Sequence, residues 1–261
     1  MNLDEQHYEQ RGFLAPFDLL SAEQCLQIMS EYTRACASFP EISPDTQVDP
    51  ATVASYWEEV GRSKIWFKSA HTIIPSVAEV AAHPELLNKV SRLLGPQFVL
   101  WGAQIIRKRP GEVHQFHTDI ETRYWNSVNV WLGLENCGSL SSIMMISHSH
   151  TLDGAIPPQS AGRFSEGAVD SATVLRRAQA LGAMCELVRP ALSDGQAFIF
   201  NGAAWHGSEN SSDANRTALL LQYSVADECI RMPMNFTPPI HWHPCPPPQI
   251  NFELAQTSTA S

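Results

Sequence analysis

The sequence predicts a mainly β protein with helices packed outside a β core. Segments of strand composition dominate the chain after residue 97, turns containing Gly, Pro or Asn separate them, and most have no helix between them. Strands that follow one another in this way favour an antiparallel sandwich or barrel. The chain has 261 residues, 44% of them hydrophobic, which suffices for one large domain or two small ones.

The N-terminal part of the chain has the pattern of helices. Residues 4–36 indicate two helices around a short extended segment at residues 12–17. Ser21 and Gln24 have the spacing of a capping box at the start of the second helix. A further helix is predicted over residues 74–94, where apolar residues recur at helical spacing before Gly95-Pro96.

The predicted strands and the long connections follow. Strand composition is found at residues 98–107, 128–134, 143–146, 197–200 and 217–225. Residues 38–63 and 151–190 are predicted to be loop or lid insertions, the second with a helix near residues 172–187. The Pro-rich tail, residues 233–261, is expected to be irregular.

Charge and composition exclude several kinds of partner. The net charge of −10 gives no electrostatic source of affinity for nucleic acid. No basic start leads into an apolar stretch, and no run of about 18 apolar residues occurs, so neither export nor membrane insertion is expected. Six scattered cysteines without a Cys-x-x-Cys pair fit reduced thiols. We therefore expect a cytoplasmic protein, and the sequence leaves its oligomeric state open.

Three residues form the strongest chemical pattern. His117 and Asp119 are separated by one residue in an extended segment, so their side chains share a face. His206 follows a predicted strand and an Asn-Gly turn, and it supplies a third ligand from a neighbouring strand. Two imidazoles and one carboxylate with open positions form the facial triad that suits non-haem Fe(II).

Ser208 and Arg216, which both follow His206, are candidates for binding a carboxylate. Ser208 lies two residues after His206, and Arg216 lies ten residues after it. If the strand that begins near Arg216 runs beside His206, a guanidinium is placed to bind the distal carboxylate of a dicarboxylate, with Ser208 as its hydroxyl partner. A surface arginine beside Asp213 is an equally good reading of Arg216 on this evidence alone.

The ordered set of motifs resembles the phytanoyl-CoA dioxygenase family of Fe(II)- and 2-oxoglutarate-dependent oxygenases. The resemblance is carried by residues 8–14, 83–87, 94–96, 130–134 and 192–200, by His206-Gly207-Ser208-Glu209-Asn210 and by Asn215-Arg216, and it covers most of residues 7–225. One departure concerns a turn. Family members usually have Pro-Gly before its Ser-His, whereas this chain has Ser147-His148 before Ser149-His150.

The resemblance implies a fold, a reaction and a ligand set. The fold is a single double-stranded β-helix domain, the cupin-type jelly roll. The reaction uses O2 and most often hydroxylates an unactivated C–H bond of a small molecule, with release of succinate and CO2. The resemblance assigns iron to His117, Asp119 and His206, and 2-oxoglutarate to Arg216, Ser208 and Gln104. Related halogenases replace the carboxylate with a small residue, so Asp119 favours hydroxylation, desaturation or cyclisation.

Substrate contacts are less well specified by the sequence. The candidates around the triad are Phe116, Arg107, Arg123, Trp125, Asn129 and Trp131. Aromatic residues in strands are more often core than substrate contacts. His114, His148 and His150 are interpreted as strand or turn residues.

Two other classes of function remain open on the sequence alone. One is a metal-dependent cupin enzyme that does not use 2-oxoglutarate, and the other is a non-catalytic jelly-roll binding protein. A carboxylate clamp formed by Arg216 and Ser208 argues against the first, and an intact triad argues against the second.

Overall fold

A computed structural model of the chain describes residues 3–38, 70–120, 126–157, 164–166, 169–227, 230–233, 242–244 and 249–254. Residues 39–63 of the first predicted insertion lie outside the described residues. So do residues 158–163 and 167–168 of the second.

Helices dominate the N-terminal part, as predicted. Helix α1 spans Leu3–Arg11, and helix α2 spans Ala22–Ser38. The capping box is confirmed: the Ser21 amide donates to Gln24 Oε1 at 2.8 Å, and the Gln24 amide donates to Ser21 Oγ at 3.2 Å.

The single helix predicted over residues 74–94 is instead two helices, α3 at Pro75–Ala81 and α4 at Pro84–Leu94. Proline has no amide hydrogen and disfavours helical geometry in the preceding residue. His83 is accordingly extended, with φ −61° and ψ 127°. The apolar spacing continues across the break, so it did not reveal the interruption.

The strands pair into two larger antiparallel sheets and one small one within the described residues. The strands are β1 Phe17–Asp18, β2 Gln97–Lys108, β3 Glu112–His117, β4 Ser127–Glu135, β5 Ile143–Ile146, β6 Phe164–Glu166, β7 Leu187–Val188, β8 Gln196–Asn201, β9 His206–Glu209, β10 Arg216–Val225, β11 Arg231–Pro233, β12 Trp242–Pro244 and β13 Ile250–Glu253. The six-stranded sheet has the order β1-β8-β4-β10-β2-β13, the five-stranded sheet has the order β6-β3-β9-β5-β7, and β11 pairs with β12.

Three apolar clusters hold the layers together. Residues of α2 and α4, such as Ile28 and Val90, pack on the outer face of the six-stranded sheet. Val174 of helix α5, which spans Ser171–Leu181, packs on the outer face of the five-stranded sheet. The third cluster joins the inner faces of both sheets, with Met145 from one and Leu220 from the other. Two facing antiparallel sheets with helices outside form the predicted jelly roll of the double-stranded β-helix type.

Two expectations, one for the tail and one for the second insertion, need correction. Residues 250–253 of the tail form strand β13, which pairs with the edge of β2 from Leu100 to Gln97, so this part of the tail is ordered. The helix expected near residues 172–187 ends at Leu181, because Gly182 is extended and cannot continue it.

The departure at Ser147-His148 has a clear backbone consequence. His148 adopts the left-handed conformation, with φ 62° and ψ −2°. Its amide donates to the Arg11 carbonyl at 3.0 Å, which ties the end of α1 to the turn after β5. The turn therefore forms with a non-glycine residue at a position that glycine adopts more readily.

Two further features concern the helices and the cysteines of the described residues. None of the helices in the described ranges is long and apolar enough to span a membrane. Cys25, Cys36, Cys137 and Cys185 are free thiols.

Gly195 is expected to be essential for stability. It has φ +86°, and a Cβ there would lie 2.4 Å from the Leu20 carbonyl oxygen. Gly195→Ala therefore combines backbone strain of about 1–3 kcal/mol with a backbone clash. Gly95→Ala is the matched control, since Gly95 has φ +88° but a Cβ there would meet no atom within 4 Å. In urea denaturation, Gly195→Ala should lose clearly more free energy of unfolding than Gly95→Ala. Equal losses in the two variants would contradict the close contact at Gly195.

Candidate active site

The chain crosses between the two sheets just before the first triad residue. The Glu112 amide donates to the Arg109 carbonyl at 3.1 Å, closing the turn that carries the chain from β2 to β3. Pro110 and Gly111 occupy this turn, and Gly111 has φ +81°. His117 is the last residue of β3, and Asp119 follows it.

An irregularity in the β3–β9 pairing aligns the histidines. His114 pairs with Ser208 and His117 pairs with His206, so two residues of β3 oppose Gly207 alone. This bulge brings the His114 and His117 rings onto the same side, where they stack with centroids 3.9 Å apart. A Cβ on Gly207 would lie 2.8 Å from the His114 carbonyl oxygen, so glycine permits the close approach.

The three predicted ligands are brought together. His117 Nε2 lies 3.4 Å from Asp119 Oδ1, and His206 Nε2 lies 3.5 Å from Asp119 Oδ2. One donor atom from each residue lies within 4.8 Å of the others. These distances are long for direct hydrogen bonds, but they suit three groups that share one ion.

Backbone carbonyls fix which nitrogen of each histidine faces the site. His117 Nδ1 lies 2.8 Å from the Gln115 carbonyl, and His206 Nδ1 lies 2.9 Å from the Ala204 carbonyl. Since a carbonyl only accepts hydrogen bonds, Nδ1 carries the proton in both rings. Both Nε2 lone pairs then point to the shared position, which is the arrangement typical of metal-binding histidines.

Two buried amides hold the Asp119 carboxylate. Asn129 Nδ2 donates to Asp119 Oδ2 at 2.8 Å, and Gln222 Nε2 donates to the same oxygen at 3.2 Å. Asn129 and Gln222 are cross-strand partners in β4 and β10, and both are fully buried. Ser127 Oγ donates to Asn129 Oδ1 at 3.4 Å, which extends the network away from the site.

This role of the two amides goes beyond the sequence-based prediction. Asn129 is predicted as a substrate contact, and its amide instead binds Asp119. Gln222 is absent from the predicted site, although it is the one amide in the otherwise apolar run Leu219–Tyr223. A polar residue inside a strand buried on both faces was the available signal.

Arg216 lies on the same inner face as this network. It is the first residue of β10, and alternation places it with Ala218 and Leu220 of the inner cluster. Its guanidinium carbon lies 4.8 Å from the centroid of the Trp131 ring. The side chain is fully buried, and among the described residues none of its three nitrogens has a hydrogen-bond partner.

A buried cation without an acceptor indicates a missing anion. Burial lowers the pKa of Arg216 to about 10, so the group remains charged at neutral pH. Leaving such a group unpaired is costly, and a carboxylate is the acceptor that a guanidinium binds best. The orphaned guanidinium therefore fits the carboxylate of a bound dicarboxylate.

The other co-substrate candidates lie on the same side. Ser208 is buried in β9, and strand alternation places it on the face of His206. Gln104 of β2 pairs with Leu220, which pairs with Trp131 on its other side, so the three form one inner row. Trp131 of this row is the residue whose ring contacts the Arg216 guanidinium.

The remaining substrate candidates are distributed differently. Phe116 packs in the outer cluster with Val174 of α5, on the side away from the triad. Arg107 lies on the outer face of β2 beside α2. Burial raises the pKa of Cys36 in α2, and the positive charge of Arg107 offsets part of this rise. The structure therefore brings neither residue into the site. Arg123 and Trp125 lie outside the described residues.

Comparison with solved structures gives the same fold. The non-heme monooxygenase ThoJ matches with a TM-score of 0.60 and 19% identity, over 86% of this chain and 78% of that one. The non-heme alpha-ketoglutarate-dependent carbocyclase SnoK matches with a TM-score of 0.60 and 15% identity, over 88% and 86%.

A third structure was determined with its ligands. The epimerase SnoN, in complex with Fe3+, alpha-ketoglutarate and nogalamycin RO, matches with a TM-score of 0.60 and 13% identity, over 88% of this chain and 85% of that one. No significant match is found among curated protein sequences.

A family model that matches most of the sequence shows the family. The family model for phytanoyl-CoA dioxygenase (PhyH) matches residues 8–218, which include all three triad residues, Ser208 and Arg216. The histidine and carboxylate donors fit Fe(II), and the orphaned guanidinium fits 2-oxoglutarate. The chain therefore belongs to the phytanoyl-CoA dioxygenase family, among the iron- and 2-oxoglutarate-dependent oxygenases.

Proposed function

We propose that the chain is a dioxygenase that hydroxylates an unactivated C–H bond of a small molecule, with release of succinate and CO2. One observation carries the proposal. Two histidines and an aspartate that could hold a metal ion, and a fully buried guanidinium without a protein acceptor among the described residues, lie on the facing inner surfaces of one jelly roll. A cupin enzyme that does not use 2-oxoglutarate has no need for that guanidinium.

The carboxylate of Asp119 supports hydroxylation, desaturation or cyclisation over halogenation. It supplies the third protein ligand, and the amides of Asn129 and Gln222 hold one of its oxygens. Structural relatives described as an epimerase and a carbocyclase make those outcomes the alternatives for the product. The relative with bound nogalamycin RO supports a small-molecule substrate.

The chain's own residues prepare the site for this reaction. His117 and His206 present unprotonated Nε2 atoms, and the carbonyls that bind Nδ1 prevent ring rotation. Arg216 and Ser208 orient the co-substrate by its distal carboxylate, while Trp131 shields the guanidinium from water. Bound iron would activate O2, which is the oxidant for the C–H bond, and 2-oxoglutarate would supply two electrons to O2 as it is converted to succinate and CO2.

The test is an anaerobic titration of the protein with Fe(II) and then 2-oxoglutarate, monitoring the visible charge-transfer band of the chelate. A band in the wild type, absent in His117→Ala, is the expected result. Product analysis by mass spectrometry with candidate substrates then distinguishes hydroxylation from epimerisation and cyclisation. Iron binding without a band would favour a cupin enzyme of another kind, and no iron binding would favour a non-catalytic protein.

Loss of either histidine ligand should abolish metal binding without unfolding the protein. His117→Ala and His206→Ala each remove one donor, whereas the apolar clusters that hold the sheets remain. Calorimetric titration with Co(II) should show no tight site in either variant, and circular dichroism should be unchanged. His83→Ala is the control, because His83 makes no side-chain capping bond at α4. Tight Co(II) binding by either triad variant would refute the ligand assignment.

Removal of the Asn129 amide should weaken the metal site. Asn129→Ala deletes the shorter of the two hydrogen bonds to Asp119 Oδ2 and frees the carboxylate to rotate. Loss of a partner of a metal ligand typically costs about 10–100-fold in metal affinity. Co(II) titration checks this, with Asn88→Ala on the exposed side of α4 as the control. Wild-type affinity in Asn129→Ala would show that the amide does not support the ligand.

Removal of the Arg216 guanidinium should weaken binding of the co-substrate and leave binding of the metal unchanged. Arg216→Met should weaken 2-oxoglutarate binding by about tenfold or more, because a charge-assisted bidentate contact is lost. Co(II) affinity should stay at the wild-type value, since Arg216 is not a triad residue. Arg92 of α4 offers the control variant Arg92→Met. Unchanged 2-oxoglutarate affinity in Arg216→Met would place the clamp elsewhere.

A further inference from the structure

A second buried cation lies beside Arg216. Lys108 is the last residue of β2, and its Cα partner in β10 is Arg216. Residues directly opposite each other in an antiparallel pair share a face, with Cβ atoms about 4.5–5.5 Å apart. Both side chains therefore face the interior between the two sheets, in line with the pair Ile106 and Ala218.

The surroundings of Lys108 provide little compensation for its charge. Lys108 is 5% exposed, and its ammonium makes no hydrogen bond or ion pair within the described part of the chain. Glu112 attracts it, but both carboxylate oxygens of Glu112 are bound by Arg109, at 2.7 and 2.8 Å. Burial, and then the positive charge of Arg216, lower the pKa of Lys108 to about 7.

The strand end that carries Lys108 is fixed near the clamp. Asn210 Nδ2 donates to the Lys108 carbonyl at 2.9 Å and to the Ala214 carbonyl at 2.8 Å. Asn210 lies two residues after Ser208, and Ala214 lies two residues before Arg216. One buried amide therefore ties the end of β2 to the segment that joins Ser208 and Arg216.

Two like charges side by side in a buried face are unfavourable unless an anion lies between them. We propose that Lys108 is a second cationic contact for the distal carboxylate of 2-oxoglutarate, beside Arg216. The inference rests on the proposed function, because it assigns a further residue to the same co-substrate. It makes the clamp a pair of cations from adjacent strands, with the carboxylate supplying the counter-charge.

The experiment compares two 2-oxo acids on the Fe(II)-loaded protein under anaerobic conditions. 2-Oxobutanoate has the same chelating end as 2-oxoglutarate but no distal carboxylate. Lys108→Met should weaken 2-oxoglutarate binding by about tenfold or more and leave 2-oxobutanoate binding unchanged. Lys108→Gln, neutral and polar, should behave in the same way and guards against a folding defect of the methionine variant. Arg107→Met is the control, since Arg107 is the neighbouring residue on the outer face.

Two further readouts separate a ligand contact from a structural role. Without co-substrate, Lys108→Met should raise the melting temperature, because a buried unpaired charge is removed. At pH 8, wild-type protein should take up protons when it binds 2-oxoglutarate, because the carboxylate restores the charge of a lysine that is mostly neutral in the free protein. Calorimetry in buffers of different ionisation enthalpy measures this uptake, which Lys108→Met should lack. The charged groups that act on Lys108 are Arg216 and Glu112.

The outcomes distinguish the two proposals. If the wild type binds iron but not 2-oxoglutarate, the proposed function fails, and this inference fails with it. If the wild type binds 2-oxoglutarate and Lys108→Met binds it equally well, only the role of Lys108 is overturned. Equal weakening for both 2-oxo acids, or a lower melting temperature in both neutral variants, would show that Lys108 is structural and would also overturn it.

Discussion

The inner face of the six-stranded sheet is buried and yet carries polar and charged groups, and the rest of the structure depends on this. Asn129, Gln222, Arg216 and Lys108 all lie on that face with almost no exposure to water. Such groups do not supply the apolar burial that stabilises a domain. A smaller apolar cluster joins the inner faces, and most of that stabilisation comes from the outer faces, where α2 and α4 cover one sheet and α5 covers the other. The helices thereby leave the interior between the sheets available for the site.

The hydrophobic pattern predicted most of the fold because the outer faces follow simple rules. Runs of strand composition predict β2, β4, β5, β8 and β10, and the capping box locates the start of α2. Features that depend on one backbone group were harder to predict. Pro84 divides a helix whose apolar spacing is continuous, and β13 depends on pairing with a strand about 150 residues earlier. Neither effect is encoded in local periodicity.

The site shows the same division between local and non-local information. The spacing of His117 and Asp119, and that of Ser208 and Arg216 after His206, were readable because neighbouring residues in sequence provide them. The amide pair that binds Asp119 comes from β4 and β10, and only the strand register brings Asn129 opposite Gln222. Residue chemistry makes Phe116 and Arg107 candidates for the pocket, but strand alternation directs both side chains to outer faces. Whether a side chain reaches the site depends more on the face of the strand that carries it than on its residue type.

Unpaired charge in the interior also links co-substrate binding to stability. Arg216 has no acceptor for its guanidinium within the described residues, and Lys108 stands directly opposite it. A ligand that binds the native state alone stabilises it, and the gain is larger when the ligand relieves a cost that the free protein bears. Replacing these cations with apolar residues would favour the free fold and oppose ligand binding, which is the usual conflict between stability and activity at a functional site. The two buried cations are therefore better explained by what they bind than by what they contribute to folding.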